Sequence, residues 1–207
     1  MERQRVAKLW VHRGLRDLYF AFDCGHDSAF EDNERFSEIM GLEKFMKAVI
    51  LYHEHQQYEG LSEKDAKIKL NKMAMKLGHK YGEMLDTIST FAPQDIERIR
   101  KSDFDGYQGI QLIDAVLGGY METRYPVPSN VSDNFPIADT GFTHDPLSSS
   151  GFTKYVYALC NTCLHHLVTS GVDFVDTYAN FCRLFDHRES LKRFHNLIWE
   201  QRCRSAL

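Results

Sequence analysis

The residue with the clearest chemical potential is an arginine placed where a helical pattern stops. In the stretch GGYMETRYPVP (residues 118–128), Pro126 disfavours helical geometry at Tyr125, so a helix is predicted to end beside Arg124. A cation in the last turn of a helix gains roughly 0.3–1 kcal/mol from the helix dipole, which is one sufficient reason for the arginine. Ligand binding is the other possible reason for the arginine, because a guanidinium beside an aromatic ring can hold a phosphate while the ring stacks on a base. Tyr120 and Tyr125 are close enough in sequence to supply that ring.

The histidines and cysteines do not have the spacing of a metal or redox site. His53 and His55 are two residues apart, and on a helix that spacing turns side chains about 200° from each other. The zincin pattern needs histidines four residues apart, which LYHEHQQ does not supply. Cys160 and Cys163 form a CxxC without a second pair, so two small buried side chains are favoured over a redox or zinc centre. We predict no metal and no cofactor.

The composition is that of an ordinary soluble globular protein. The chain has 207 residues, of which 43% are hydrophobic and 26% are charged, and its net charge of −4 argues against broad, charge-driven binding of nucleic acid. Its five cysteines are an odd number, the N-terminal MERQRVAKLWVHR lacks the apolar core of a secretory signal, and no apolar run approaches the roughly 18 residues needed to cross a bilayer. We therefore predict a reduced, cytoplasmic protein with no membrane partner. A stripe of lysines at helical spacing is interpreted as a solvated face: Lys69, Lys72, Lys76 and Lys80.

Helical periodicity dominates the chain, and no segment alternates with period two over the length of a strand, so the predicted fold class is all-α. Gly78 and Gly82 interrupt the apolar stripe that runs from Leu70 to Ile88, so this segment could form one helix or two. Residues 126–150 contain four of the five prolines and no periodicity, so they are predicted to form a long irregular loop. The seven apolar stripes are Val11, Leu15, Leu18 and Phe22; Ile39, Leu42, Met46 and Val49; Leu70, Met73, Leu77, Tyr81, Met84 and Ile88; Ile110, Ile113, Leu117 and Tyr120; Phe152, Val156, Leu159, Cys163 and Leu167; Phe174, Tyr178, Phe181 and Phe185; and Leu191, Phe194 and Ile198.

Three local features, in this order, resemble the HEPN family, the small helical domains named for nucleotide binding in eukaryotes and prokaryotes. The first is LEKFMKAVILY (residues 42–52), where Glu43 and Lys47 are similar to the acidic residue and the lysine of the second family helix. The second is Gly78-His79, which resembles the opening of the third family helix. The third is Tyr120 followed by Thr123-Arg124-Tyr125-Pro126, which is similar to the TRYP element of one HEPN subgroup.

The resemblance implies an up-and-down helical bundle over residues 1–170, including the irregular loop 126–150. Residues 171–207 are then a helical extension packed on the same domain. A homodimer is also implied, since that is the habit of the family. The sequence departs from the family pattern directly after His79, where Lys80 and Tyr81 replace an aspartate and a leucine.

Catalytic HEPN proteins are metal-independent ribonucleases with an R-x4–6-H motif, and two segments of this chain fit it. One runs from Arg5 to His12 and the other from Arg188 to His195. About two such matches are expected at random in a chain of this composition, so the motif alone decides nothing. The histidine of such a pair could shuttle the proton of a 2′-hydroxyl, and the arginine could offset the charge that builds on the phosphate.

Three functions remain as hypotheses. The leading one is non-catalytic binding of a nucleotide or another phosphorylated ligand in a cleft. The second is a ribonuclease that uses Arg188 and His195 as catalytic residues, acting on RNA across a homodimer. The third is a scaffold for protein–protein contact. For Lys47, an i,i+4 ion pair with Glu43 is the alternative to ligand binding. The predicted ligand-binding residues are Arg124, Tyr120, Tyr125, Lys47 and His79.

Overall fold

The computed structural model describes residues 1–24, 31–124, 146–185 and 189–198, except for some side chains, among them those of residues 118–124. Helices account for most of these residues, and a two-stranded hairpin is the only sheet in the described part of the chain. The predicted all-α class is therefore confirmed. In the described residues, no helix combines the length and the apolar character that crossing a membrane requires.

The first two helices form a closely packed pair at one side of the core. Helix α1 spans Arg3–Cys24 and α2 spans Glu31–His53. Both predicted apolar stripes face inward, and Leu15 of α1 and Leu42 of α2 are fully buried. Helix α2 also packs against four later helices, so it is the central element of the bundle.

A glycine divides the third predicted stripe into two helices. Helix α3 (Glu63–Leu77) begins at Ser62, whose hydroxyl accepts the backbone N–H of Asp65, and α4 spans Tyr81–Ser89. Gly78 follows α3 with φ +53°, a conformation that L side chains rarely adopt and that glycine adopts without strain. The alternative of two helices is thus the correct one.

A short helix and a hairpin follow α4. The apolar periodicity of the sequence predicts neither of them. Helix α5 (Pro93–Lys101) begins with a proline, which suits a first helical turn. Strands β1 (Asp103–Phe104) and β2 (Tyr107–Gln108) then pair antiparallel around Asp105 and Gly106, both at positive φ. An Asp-Gly turn of this kind matches the twist of a hairpin.

Helix α6 (Gly109–Arg124) buries a different face from the one predicted. Leu112, Ile113 and Val116 are buried, whereas Ile110 and Leu117 are 46% and 50% exposed. Apolar residues surround much of this helix, so the helical period fits two faces equally well. Packing against α2, α4 and α5 selects the face that carries Leu112 and Val116.

The last three helices complete the core. Helix α7 (Ser150–Thr169) begins at Ser149, whose hydroxyl accepts the backbone N–H of Phe152, and its predicted stripe is fully buried. Helices α8 (Val175–Leu184) and α9 (Glu189–Ile198) both pack on α1. Their contact with α1 is aromatic, since Tyr19 meets Phe181 and Phe194 edge-on. Most of the predicted loop 126–150 and the last residues of the predicted extension lie outside the described residues.

Candidate functional site

The outer face of α1 is basic with two apolar side chains. Because its inner face is buried in the core, residues at steps of three and four on the opposite side share one exposed stripe. Leu9 and Phe20 are 49% and 51% exposed, so this face is not purely polar. The stripe consists of Arg5, Leu9, His12, Arg16 and Phe20.

A groove opens beside the second half of this stripe, between α1, α2 and the end of α8. Its volume is about 610 Å³, which falls within the roughly 300–1,000 Å³ of small-molecule sites. Residues from three separate parts of the chain form its walls: Arg13, Arg16, Asp17, Tyr19, Phe20, Asp23, Lys44 and Phe185.

Two of the three cations in this groove form no ion pair with the described part of the chain. Lys44 is paired with Asp17; burial raises the pKa of the Asp17 carboxyl, and the lysine acts in the opposite direction. Arg13 and Arg16, both exposed, form no ion pair with any residue that the structure describes. Two guanidinium groups at i and i+3 on one helix are therefore available to an anion in the groove.

The groove is also lined by three aromatic side chains and by the carboxylate of Asp23. The Phe185 ring packs against Tyr19 with 4.4 Å between ring centroids, and Phe20 lies half in solvent. Asp23 accepts a hydrogen bond from the Ser190 hydroxyl, with 2.7 Å between Oδ1 and Oγ. The Ser190 Oγ also lies 2.7 Å from the Tyr19 hydroxyl.

A second groove, of about 410 Å³, runs beside the first half of α1. Arg5, Lys8 and His12 line it from α1, and Thr177 and Asn180 line it from α8. Burial lowers the pKa of His12, and the positive charges of Arg16 and Arg13 lower it further. The imidazole is consequently neutral at pH 7, the form that can accept a proton.

Two of the sequence-predicted ligand residues meet at one buried carboxylate. Glu43, whose side chain is 5% exposed, accepts from the Lys47 ammonium at 2.7 Å on Oε1. Its Oε2 lies 2.6 Å from His79 Nδ1 and accepts from the Tyr81 hydroxyl at 2.9 Å. Lys47 is buried, with its ammonium 5.9 Å from the centre of the Trp10 ring. The i,i+4 pair of Lys47 with Glu43 is present, and His79 reaches the same carboxylate from the α3–α4 connection.

The structure does not place the rest of the predicted cleft. Tyr120 and Arg124 belong to the end of α6, but their side chains lie outside the described residues, as does all of Tyr125. Arg188 also lies outside them. Its predicted partner His195 is half-buried, and its Nδ1 is hydrogen-bonded to the Tyr178 hydroxyl. The cleft around Arg124 therefore stays a prediction.

The histidines and cysteines that were considered as metal or redox sites pack against other residues of the fold. His53 and His166 face each other with 2.7 Å between their Nε2 atoms, and the His53 ring is stacked on Phe91. Within the described ranges, no group of three or more histidine, cysteine, aspartate or glutamate side chains could hold a metal ion. Cys160 and Cys163 are both fully buried, and burial raises the pKa of each thiol.

The sequence pattern did not single out the groove beside α1. Arg13 and Arg16 lie opposite the apolar stripe, which is where the charged residues of any amphipathic helix lie. Their spacing from Phe20 was the available signal, but Lys44 and Phe185 complete the groove from distant parts of the chain.

Comparisons with known proteins give no indication of the function. No family model, no curated protein and no solved structure matches the chain.

Proposed function

We propose that the protein binds a nucleotide or another phosphorylated ligand, without converting it, in the groove beside α1. The observation that carries this proposal is the combination of Arg13 and Arg16, which form no ion pair among the described residues, with exposed Phe20 in one groove of about 610 Å³. Guanidinium groups bind phosphate through paired, charge-assisted hydrogen bonds. An aromatic ring beside them offers a stacking surface of about 1–3 kcal/mol to a base.

The location differs from the cleft predicted around Arg124, although the chemistry is the same. Lys47 is engaged by Glu43 inside the bundle, so it does not supply the phosphate contact in this proposal. Lys44, three residues earlier on α2, lines the groove instead, and Asp17 holds its ammonium in place. A phosphate that approaches Arg13 and Arg16 also approaches the ammonium of Lys44, which is paired with Asp17.

Thermal unfolding in the presence of ADP and of pyrophosphate tests the proposal. A ligand that binds only the folded protein raises its melting temperature. At a ligand concentration of 100 times Kd, the unfolding free energy increases by about 2.7 kcal/mol. The double variant Arg13→Ala/Arg16→Ala should lose this increase. The matched control Arg98→Ala/Lys101→Ala removes two exposed cations from α5 and should retain it. Unchanged melting temperatures with every phosphorylated compound at millimolar concentration would reject the proposal.

A ribonuclease is the second candidate, because Arg5 and His12 line one groove together with Lys8. His12 is neutral at pH 7 for the reasons given above, so it could take the proton of a 2′-hydroxyl while Arg5 faces the phosphate. Incubation with structured RNA in the presence of EDTA tests this activity. The variants His12→Asn and His195→Ala distinguish the two R-x6-H pairs. Cleavage that persists undiminished in both variants excludes both histidines.

The resemblance to HEPN domains also implies a homodimer, and the cytoplasmic location stays a prediction from the composition. Sedimentation equilibrium across a range of protein concentrations tests the dimer. A mass of 24.1 kDa at all concentrations would mean that the chain is a monomer.

A further inference from the structure

The outward face of α3 carries two large apolar side chains. The helix packs on the core through the opposite face, where Ala66, Leu70 and Met73 are buried. On the outward face, Ile68 is 46% exposed and Met75 is 80% exposed. These two residues are seven positions apart, so they lie on one line, about 10.5 Å from each other along the helix axis.

Lysines lie between and beside these apolar side chains. Lys64 and Lys72 are four residues before and after Ile68, which places them on the same face of the helix. Lys69 and Lys76 extend the positive charge along one flank of that face. These four lysines form no ion pair within the part of the chain that the structure describes.

The carboxylates of α3 lie at its start. Glu63 and Asp65 are in the first turn, where Glu63 pairs with Lys67 and Asp65 accepts a hydrogen bond from the residue that caps the helix. Lys80, the last member of the predicted lysine stripe, pairs with Glu83 on α4. Five lysines and two carboxylates give α3 a net charge of +3, in a chain whose net charge is −4. A partner that covers this face must therefore be anionic.

A lipid surface fits this face better than a protein or a nucleic acid. Interfaces between proteins are enriched in arginine and depleted in lysine, whereas α3 contains five lysines and no arginine. A nucleic acid would engage the lysines through its phosphates but would leave Ile68 and Met75 beside a polar backbone. At a bilayer surface, lysines contact anionic headgroups while aliphatic side chains reach the boundary of the acyl chains.

We propose that α3 is a docking surface for membranes that contain anionic phospholipids. The helix lies parallel to the bilayer, with Ile68 and Met75 inserted and the lysines at the headgroups. The sequence prediction of no membrane partner rests on the lack of a spanning segment, which a surface contact does not need. The inference is independent of the groove beside α1, because it concerns another helix.

Co-sedimentation with lipid vesicles tests the inference. At low ionic strength the protein should bind vesicles of phosphatidylcholine with about 30 mol% phosphatidylserine, and should not bind vesicles of phosphatidylcholine alone. Added salt should weaken the binding, because it screens the attraction between lysines and headgroups. The double variant Lys72→Gln/Lys76→Gln should bind roughly 25-fold more weakly, about fivefold for each lysine near the surface.

A second variant and a control separate insertion from charge. Ile68→Ser/Met75→Ser keeps every lysine and should bind about tenfold more weakly, because less apolar area is removed from water. The matched control Arg98→Gln/Lys101→Gln removes two exposed cations from α5 and should bind as the unmodified protein does. All the substituted side chains are exposed, so the circular dichroism spectra and melting temperatures should stay unchanged.

The contrary outcomes are specific. Failure to bind phosphatidylserine vesicles overturns the inference, and so does equal binding to vesicles with and without phosphatidylserine. Undiminished binding of Lys72→Gln/Lys76→Gln excludes α3 as the docking surface. Binding of structured RNA that is lost in this variant and kept in Ile68→Ser/Met75→Ser would assign the face to nucleic acid instead.

Discussion

Gly14 of α1 and Gly41 of α2 face each other where the two helices cross. A Cβ atom added to Gly14 would lie 3.2 Å from the carbonyl oxygen of Gly41, and one added to Gly41 would lie 3.3 Å from that of Gly14. The same Cβ atoms would come within 2.7 Å of the Phe45 ring and 2.6 Å of Leu18 Cγ. Two glycines therefore allow α1 to approach α2 closely, and α1 carries both grooves.

The first prediction concerns this crossing. Gly14→Ala and Gly41→Ala should each destabilise the protein by about 1–3 kcal/mol, because an added methyl group forces packed side chains apart. Gly82→Ala is the matched control on α4, where an added Cβ would meet nothing within 4 Å. It should be neutral or stabilising by up to about 1 kcal/mol, since alanine favours helix. Urea unfolding measures all three variants, and a crossing variant as stable as Gly82→Ala would contradict the prediction.

The second prediction concerns the carboxylate at which Lys47, His79 and Tyr81 meet. Glu43→Leu leaves the Lys47 ammonium buried without its partner, so it should cost about 3–5 kcal/mol of unfolding free energy. Lys47→Met is the matched variant. It should cost less, because Glu43 keeps its contacts with His79 and Tyr81. Urea unfolding at pH 7 measures both, and equal losses would show that the contacts of Glu43 with His79 and Tyr81 do not offset the loss of Lys47.

The sequence predicts the parts of the fold that are determined by interactions between residues close together in the chain. The stripe of α1 is predicted correctly because one face of that helix is apolar and the other is polar. The stripes of α2 and α7 are predicted correctly because these two helices are buried on most sides. In α6, Ile110 and Leu117 compete with Leu112 and Val116 for the core, and only the packing of neighbouring helices decides. The hairpin at Asp105 and Gly106 has strands of two residues, too short to show a period of two.

The same distinction applies to the candidate site. Lys47 and His79 are each predicted from the resemblance to HEPN helices, but only folding brings both to Glu43. The groove beside α1 combines Arg16 with Lys44 of α2 and Phe185 after α8. No periodicity relates residues so far apart in the chain, and without aligned relatives the sequence holds no signal that joins them.

The third prediction concerns the CxxC on α7. Cys160 and Cys163 are fully buried and burial raises the pKa of both thiols, that of Cys163 to about 12, so neither should react with iodoacetamide in the native protein at pH 8. Half-buried Cys182 serves as the internal control and should be alkylated more readily. In guanidinium chloride all three should react. Peptide mass spectrometry measures the extent at each cysteine, and rapid native labelling of Cys160 would revive the redox interpretation.

The fourth prediction concerns His53, which faces His166 between α2 and α7. Burial lowers the pKa of His53 to about 4, helped by the charges of His166, Arg3 and His55. The unfolded chain therefore binds a proton near pH 6.5, which the folded chain takes up only near pH 4. This contribution to stability is fully present above pH 6.5 and is lost as the pH falls towards 4.

His53→Gln removes that titration, so its unfolding free energy should fall less steeply between pH 7 and pH 4.5 than that of the unmodified protein. Because the ring is partly exposed, solvent screening reduces the expected difference to on the order of 1 kcal/mol. Urea unfolding at several pH values measures both slopes. His165→Gln, which changes a neighbouring half-buried histidine outside the contact between His53 and His166, is the matched control. Parallel curves for His53→Gln and the unmodified protein would show that His53 titrates as it does in the unfolded chain.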